Sequence, residues 1–185
     1  MAINIKLPEQ DQVHLKPTIT VFGIGGAGSN VINNMIGSNL EGIRFVAANT
    51  DAQALEQSLA ERKIQLGQKL TQGLGAGSDA SMGEAAAEES INEITRHITG
   101  SHMVIIVVGM GGGTGTGGSS VVAKISKEQG ILTIGVITKP FHFEGQHRMK
   151  TAEDGIAKLK KHVHTLITIP NQNLFKIADE KTTFS

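Results

Sequence analysis

Gly109-Met110-Gly111-Gly112-Gly113-Thr114-Gly115-Thr116-Gly117-Gly118 is the stretch on which the fold turns. It follows the apolar run Met103-Val104-Ile105-Ile106-Val107-Val108 and precedes the helix-compatible Ser119-Ser120-Val121-Val122-Ala123-Lys124-Ile125, so the order is strand, glycine loop, helix. Glycines without Cβ let consecutive backbone N–H groups turn toward one point, and a helix start adds positive dipole, so the loop suits phosphate. Thr114 and Thr116 add hydroxyl donors. A flexible Gly/Ser linker would not sit so abruptly between a buried strand and a helix.

Working outward, the same unit recurs. Thr18-Ile19-Thr20-Val21-Phe22 reads as a buried strand running into Gly23-Ile24-Gly25-Gly26-Ala27-Gly28-Ser29-Asn30, after which Val31, Ile32, Met35 and Ile36 fall at helical spacing to about Gly37. Ile43 to Ala48 is a strand closed by Asn49-Thr50-Asp51, with Asp51 placed to cap a short helix bearing Leu55 and Leu59. Lys63 to Leu66 is a short peripheral strand. Gly73-Leu74-Gly75-Ala76-Gly77-Ser78-Asp79 is a third glycine loop, and Ser81 with Glu84 has capping-box spacing for one helix carrying Ala87, Ile91, Ile94 and Ile98 on a face. Gly130 ends the helix after the central loop. Ile131 to Ile137 is a strand leading into Thr138-Lys139-Pro140-Phe141-His142-Phe143-Glu144-Gly145, a helix bears Arg148, Met149, Ala152, Ile156 and Leu159, and Thr165 to Ile169 is the last strand. This alternation predicts an α/β fold: a doubly wound, Rossmann-like, mostly parallel sheet with helices on both faces. The glycine loops, Asn49 to Asp51, Thr138 to Glu144 and Pro170-Asn171 then share the carboxyl edge, where such sheets bind ligands.

Composition narrows the function. Lys plus Arg equals Asp plus Glu at 17 each, so no net field argues for nucleic acid or a membrane surface. Any anion must be bound locally. The chain has no cysteine, which excludes a thiolate zinc site, and with no Trp or Tyr and only six Phe it lacks an aromatic platform for single strands. No apolar run reaches spanning length and the first 16 residues lack a signal-peptide layout, so the expectation is a cytoplasmic protein without membrane insertion. His142 with His147, and His162 with His164, read as surface histidines, and no metal site is expected. Lys158, Lys160 and Lys161 complement a helix C-terminus.

Gly23, Gly25 and Gly28 satisfy G-x-G-x-x-G, with Asp51 at the distance of a ribose acceptor, so an NAD-binding Rossmann domain stands as one alternative. That motif leaves the loop at 109–118 unexplained. No glycine is followed by lysine, so P-loop chemistry is excluded.

Gly111-Gly112-Gly113-Thr114-Gly115-Thr116-Gly117 is identical to the signature of the tubulin/FtsZ superfamily. Gly23 to Asn30, Asn49-Thr50-Asp51, Gly73 to Gly77, Pro140 to Gly145 and Pro170-Asn171 match the bacterial pattern of that family in order, and the resemblance runs from about Thr18 to the end. It implies a GTP/GDP-binding cytoskeletal protein of bacterial cell division that polymerises head to tail, with GTP hydrolysed between subunits and Mg2+ held through the phosphates. By resemblance Gly25, Gly26, Ala27, Gly28, Ser29 and Asn30 approach the nucleotide. Gly109 and the run Gly111, Gly112, Gly113, Thr114, Gly115, Thr116 and Gly117 cradle its phosphates. Asn49, Asp51, Thr138 and Pro140 join the site, Ala76 and Gly77 lie near the terminal phosphate, Glu144 accepts from ribose hydroxyls, Arg148 approaches as a cation, and Asn171 lies near sugar and base.

Three places depart from the family pattern. Ser78-Asp79 sets an acid where it would repel a terminal phosphate if turned inward, Gly118-Ser119-Ser120 stands for small apolar residues and proline, and Gln172 for Asp. The expected organisation is an arm at 1–17, a GTP-binding domain at 18–173 and a tail at 174–185 where the family's central helix begins. The family's acidic catalytic loop and second, activating domain would lie beyond Ser185. On that expectation the chain holds no catalytic residue of its own, binds nucleotide with little turnover, and self-associates, co-assembles with a full-length relative, or caps filaments as a binding-only fragment.

Overall fold

Strands and helices alternate along the chain as the periodicity predicts, and the computed structural model, which describes residues 17–38 and 40–171, gives their bounds. In order they are β1 (Ile19–Ile24), α1 (Gly25–Gly37), β2 (Ile43–Asn49), α2 (Ala52–Glu56), β3 (Arg62–Gln65), α3 (Gln68–Thr71), α4 (Ala80–Glu89), α5 (Ile91–Ile98), β4 (Met103–Gly109), α6 (Thr114–Glu128), β5 (Leu132–Lys139), a 3-10 turn (His142–Glu144), α7 (Gln146–Lys160) and β6 (Thr165–Pro170). Residues 1–16 of the expected arm, Gln172, Asn173 and the expected tail lie outside the described residues.

All six strands pair in parallel in the order β3-β2-β1-β4-β5-β6. Strand succession reverses between β1 and β4, which pair directly with Ile24 opposite Val108. Chains leaving neighbouring strands there part to opposite faces and leave a crevice at the carboxyl edge. Because strand side chains alternate, Phe22, Val46, Val104 and Ile106 bury on one face with Ala86, Ile94, Ile98, Val122 and Leu159 of the helices, while Val21, Ala47 and Val107 bury on the other with Ile32 and Leu55. The fold is therefore doubly wound, as expected. The edge strands are the exceptions to two-sided burial: Lys63 of β3 and Ile167 and Ile169 of β6 are exposed.

Three sequence expectations about helices are corrected. α6 starts at Thr114, inside the glycine stretch, and not at Ser119. The glycines here serve close approach: a methyl on Gly117 would strike the Ala80 carbonyl and the Glu84 amide, and one on Gly113 would lie 2.8 Å from the Asp79 oxygen. The single helix read over 81–98 is two, broken at Ser90, whose hydroxyl donates to the Ala86 carbonyl and accepts from the Gly67 amide. Ile91 is consequently exposed while Ile94 and Ile98 are buried. The cap of α4 is Asp79, accepting from the Ser81 amide, so Ser81 stands inside the helix.

Gly117 and Gly26 separate packing from helix propensity. Gly117→Ala should lose about 1–3 kcal/mol in urea unfolding, the size of an overpacked core. Gly26→Ala, where an added Cβ meets nothing within 4 Å, should stay within about 0.5 kcal/mol of the parent.

Candidate functional site

The first turns of α1 and α6 face each other across the crevice. Gly25 takes a left-handed φ of +71°, which turns the chain from β1 straight into α1, and its missing Cβ would lie 3.2 Å from the Gly115 amide nitrogen. Gly28 allows the next approach, since a methyl there would sit 2.5 Å from the Val107 carbonyl oxygen. The first N–H groups of any helix lack intrahelical partners. α1 and α6 have no side-chain cap and no acidic residue in their first turns. α2 and α4, by contrast, are capped by Asp51 and Asp79. Two long helices thus aim uncapped amides and positive dipole ends at one space, the electrostatics of an anion site.

That space is a cleft of about 330 Å³. Gly25, Gly26 and Ala27 form one wall, and Gly109, Gly112, Gly113, Thr114 and Gly115 the facing one. Thr138, Pro140, Glu144, Arg148 and Asn171 close a third side. Gly26 and Gly112 face empty space, with nothing within 4 Å of an added Cβ. Neither neighbouring main chain nor side chains require glycine there, so both positions leave open space in the cleft. Glu144 accepts from the Phe141 amide through Oε1 and from Arg148 Nη1 through Oε2, both at 2.7 Å. The ion pair is an exposed i, i+4 contact worth only a few tenths of a kcal/mol. The remaining lone pairs of Glu144 can still accept hydroxyl protons.

Other residues of the expected site stand behind or beside these walls. Gly28 and Ser29 are buried in the first turn of α1, the Ser29 hydroxyl without a hydrogen-bond partner among the described residues, and Asn30 is exposed on the same helix. The Gly111 amide donates to the buried Thr116 hydroxyl at 2.9 Å, which braces the loop from beneath. Asn49 is buried and its Oδ1 accepts from the Asp51 amide at 3.3 Å, while Asp51 is occupied by the Gln53 and Ala54 amides. Ala76 packs under Gly113. Gly77, Thr116 and Gly117 line a neighbouring cleft of about 490 Å³ with Asp79, His147, Asp154 and Lys158. That cleft is larger, but α6 meets it at Thr116 and Gly117, whereas its first residues Thr114 and Gly115 line the smaller one.

Sequence reasoning passed over Ile24 and Met110, which also line the first cleft. Their positions as the residues flanking each glycine run were the available signal. The acid at Asp79 does not turn inward. Its Oδ1 accepts from the Ser81 hydroxyl at 2.6 Å and the Ser81 amide at 2.8 Å, and these bonds, the hydroxyl's first, hold its pKa below the ordinary 3.8. Among the described residues no group of three or more His, Cys, Asp or Glu could hold a metal ion, and no helix is long and apolar enough to cross a membrane.

Known proteins share this arrangement. The sequence profile of the Tubulin/FtsZ family, GTPase domain, matches residues 18–179. The cell division protein FtsZ of Rickettsia bellii is 64% identical over 183 residues, which are 99% of this chain and 39% of that protein. A structure of the empty FtsZ dimer of M. jannaschii superposes with a TM-score of 0.88 at 51% identity, over 90% of this chain and 49% of that one. The GDP-bound monomer of CetZ1 from Haloferax volcanii superposes at 0.81 with 25% identity, over 90% and 54%. The chain spans about two fifths of the length of the curated relatives it matches.

Asp79 offers a test by pH. Its folded pKa is depressed, so its stabilising contribution is complete above the unfolded value of 3.8 and is lost as pH falls through the lower folded value. Asp79→Ala should lower the melting temperature at neutral pH, and the gap from the parent should close as pH drops below that range. A gap independent of pH would show that the cap is not electrostatic.

Proposed function

The chain belongs to the Tubulin/FtsZ family, and from that premise we propose that it binds GTP and GDP in the cleft between the first turns of α1 and α6. The observation that carries the reading is the pair of uncapped helix ends with Gly26 and Gly112 facing empty space between them. A polyphosphate supplies acceptor oxygens to the amides and fills the volume that a Cβ would take. Gly25 to Ala27 approach it from one side and Gly112 to Gly115 from the other. Gly28 and Thr116 keep those turns in place, and Gly77 with Ala76 borders the terminal phosphate. Glu144 accepts the ribose hydroxyls, Arg148 supplies a cation, and Asn171 contacts sugar or base. Mg2+ is held through the phosphates, which fits a cleft whose only carboxylate is Glu144 among the described residues.

Hydrolysis is a property of the assembled protein. Glu144 is the one carboxylate of the cleft among the described residues and is assigned to the ribose, so, as the family resemblance implies, the acidic group that orients water comes from another subunit. Head-to-tail assembly of residues 18–173 as one domain, with nucleotide between subunits, is supported by apolar side chains exposed in loops at the carboxyl edge of the sheet, Leu74 at 85% and Phe143 at 73%. It agrees with the relatives' names, cell division protein and FtsZ dimer. A nucleoside triphosphate as ligand suits the cytoplasm. An NAD-binding reading is weakened because Asp51, its ribose acceptor, caps α2 and does not line the cleft.

Equilibrium titration of the purified chain should show GDP and GTP binding more tightly than NAD; the reverse order overturns the proposal. Gly112→Ala should fold like the parent and lose at least about fivefold in GDP affinity, since a methyl in a filled phosphate cradle overpacks it by about 1–3 kcal/mol. Phosphate release from the chain alone should stay near the uncatalysed background. Brisk release proportional to chain concentration would place a complete catalytic set within these residues.

A further inference from the structure

Thr50 has so far been given no function. It is wholly buried, with 0% exposure, in the turn after β2. Its hydroxyl oxygen lies 2.6 Å from that of Thr114, the first residue of α6 and part of the cleft wall. Among the described residues Thr50 Oγ1 has no other hydrogen-bond partner. The Thr50 carbonyl accepts from the Gly75 amide at 3.2 Å and the Thr71 hydroxyl at 3.3 Å. The residue is therefore clamped between the third glycine loop and the start of α6, and its side chain has one direction to act in.

A threonine hydroxyl carries one proton and two lone pairs. Within the pair, either oxygen can donate. Phosphate oxygens only accept, so with a phosphate in front of Thr114 one arrangement satisfies every group: Thr50 donates to Thr114, and Thr114 donates to the anion. A chain of this kind polarises each bond in it and strengthens the one at its end. We propose that Thr50 is a positioning residue that fixes the Thr114 hydroxyl as a donor toward the nucleotide phosphates. The inference rests on the nucleotide reading of the cleft.

A double-mutant cycle tests it. The 185-residue chain is titrated with GDP and GTP as parent, Thr50→Val, Thr50→Ser, Thr114→Val and the double valine variant, each with its melting temperature. Valine keeps the shape of threonine and removes the hydroxyl; serine keeps the hydroxyl. Thr50→Val should weaken both nucleotides about three- to tenfold and Thr50→Ser by less than about twofold, in keeping with the loss or retention of one hydrogen bond. In the Thr114→Val background, Thr50→Val should change affinity by less than about twofold, because its route to the ligand is gone. If Thr50→Val does not fold, Thr50→Ala closes the same cycle. Additive effects in the cycle, or a Thr50 variant without its hydroxyl that binds like the parent, overturn the inference while leaving the nucleotide reading intact. A folded parent chain that binds neither nucleotide overturns that reading, and Thr50's role with it.

Discussion

Main chain lies directly on main chain where the start of α6 meets the third glycine loop and the start of α4, and the rest of the cleft depends on that contact. Side chains of ordinary size hold packed helices about 8–10 Å apart. Gly83 against the Gly113 carbonyl, and Gly117 against Ala80 and Glu84, admit no Cβ at all. The first turn of α6 is thereby pinned from below by peptide groups, and Ala76 beneath Gly113 continues the support toward the third loop. Pinned there, the α6 amides point across the crevice at α1. The same closeness recurs where Gly155 of α7 leaves room for the Thr116 methyl. Packing density, in this part of the molecule, is what gives the electrostatics a direction.

The field in the cleft is local. The chain carries equal numbers of acidic and basic residues, and the acids nearest the carboxyl edge are committed elsewhere: Asp51 to the α2 amides, Asp79 to Ser81, Glu144 to Arg148 and Phe141. Leaving the facing starts of α1 and α6 bare concentrates unpaired N–H groups at one spot without any excess of lysine or arginine. Hydroxyls extend the same donor surface inward from Thr114 to Thr50.

The architecture was legible because its strands are dense in Val and Ile and its turns are marked by glycine, so all six strands and a mostly parallel, doubly wound sheet followed from pattern and connectivity. Helix starts were less legible. Glycine was read as loop at Gly115, Gly117 and Gly118, where tertiary contact overrides the low helix propensity of that residue. The break at Ser90 depends on an amide 23 residues away, Gly67, which no local pattern reveals. Asp79 and Ser81 compete as caps, and spacing to Glu84 favoured the wrong one. At the site, convergence of the loops was readable from topology. Which residues face the cleft and which stand behind it was not, since neighbours such as Gly112 and Gly111 differ only in the direction the backbone turns. Guanine, moreover, came from the family resemblance; the geometry itself speaks only of an anion.

A ligand pocket built of peptide amides is insured against one kind of genetic damage and exposed to another. Point mutation deletes side chains, but the N–H groups of Gly26, Gly112 and Gly113 remain whatever residue replaces the glycine, unless that residue is proline. Harm must therefore arrive as added volume. Over evolutionary time such a lining tolerates drift in the surrounding helices while resisting any gain of bulk at its floor.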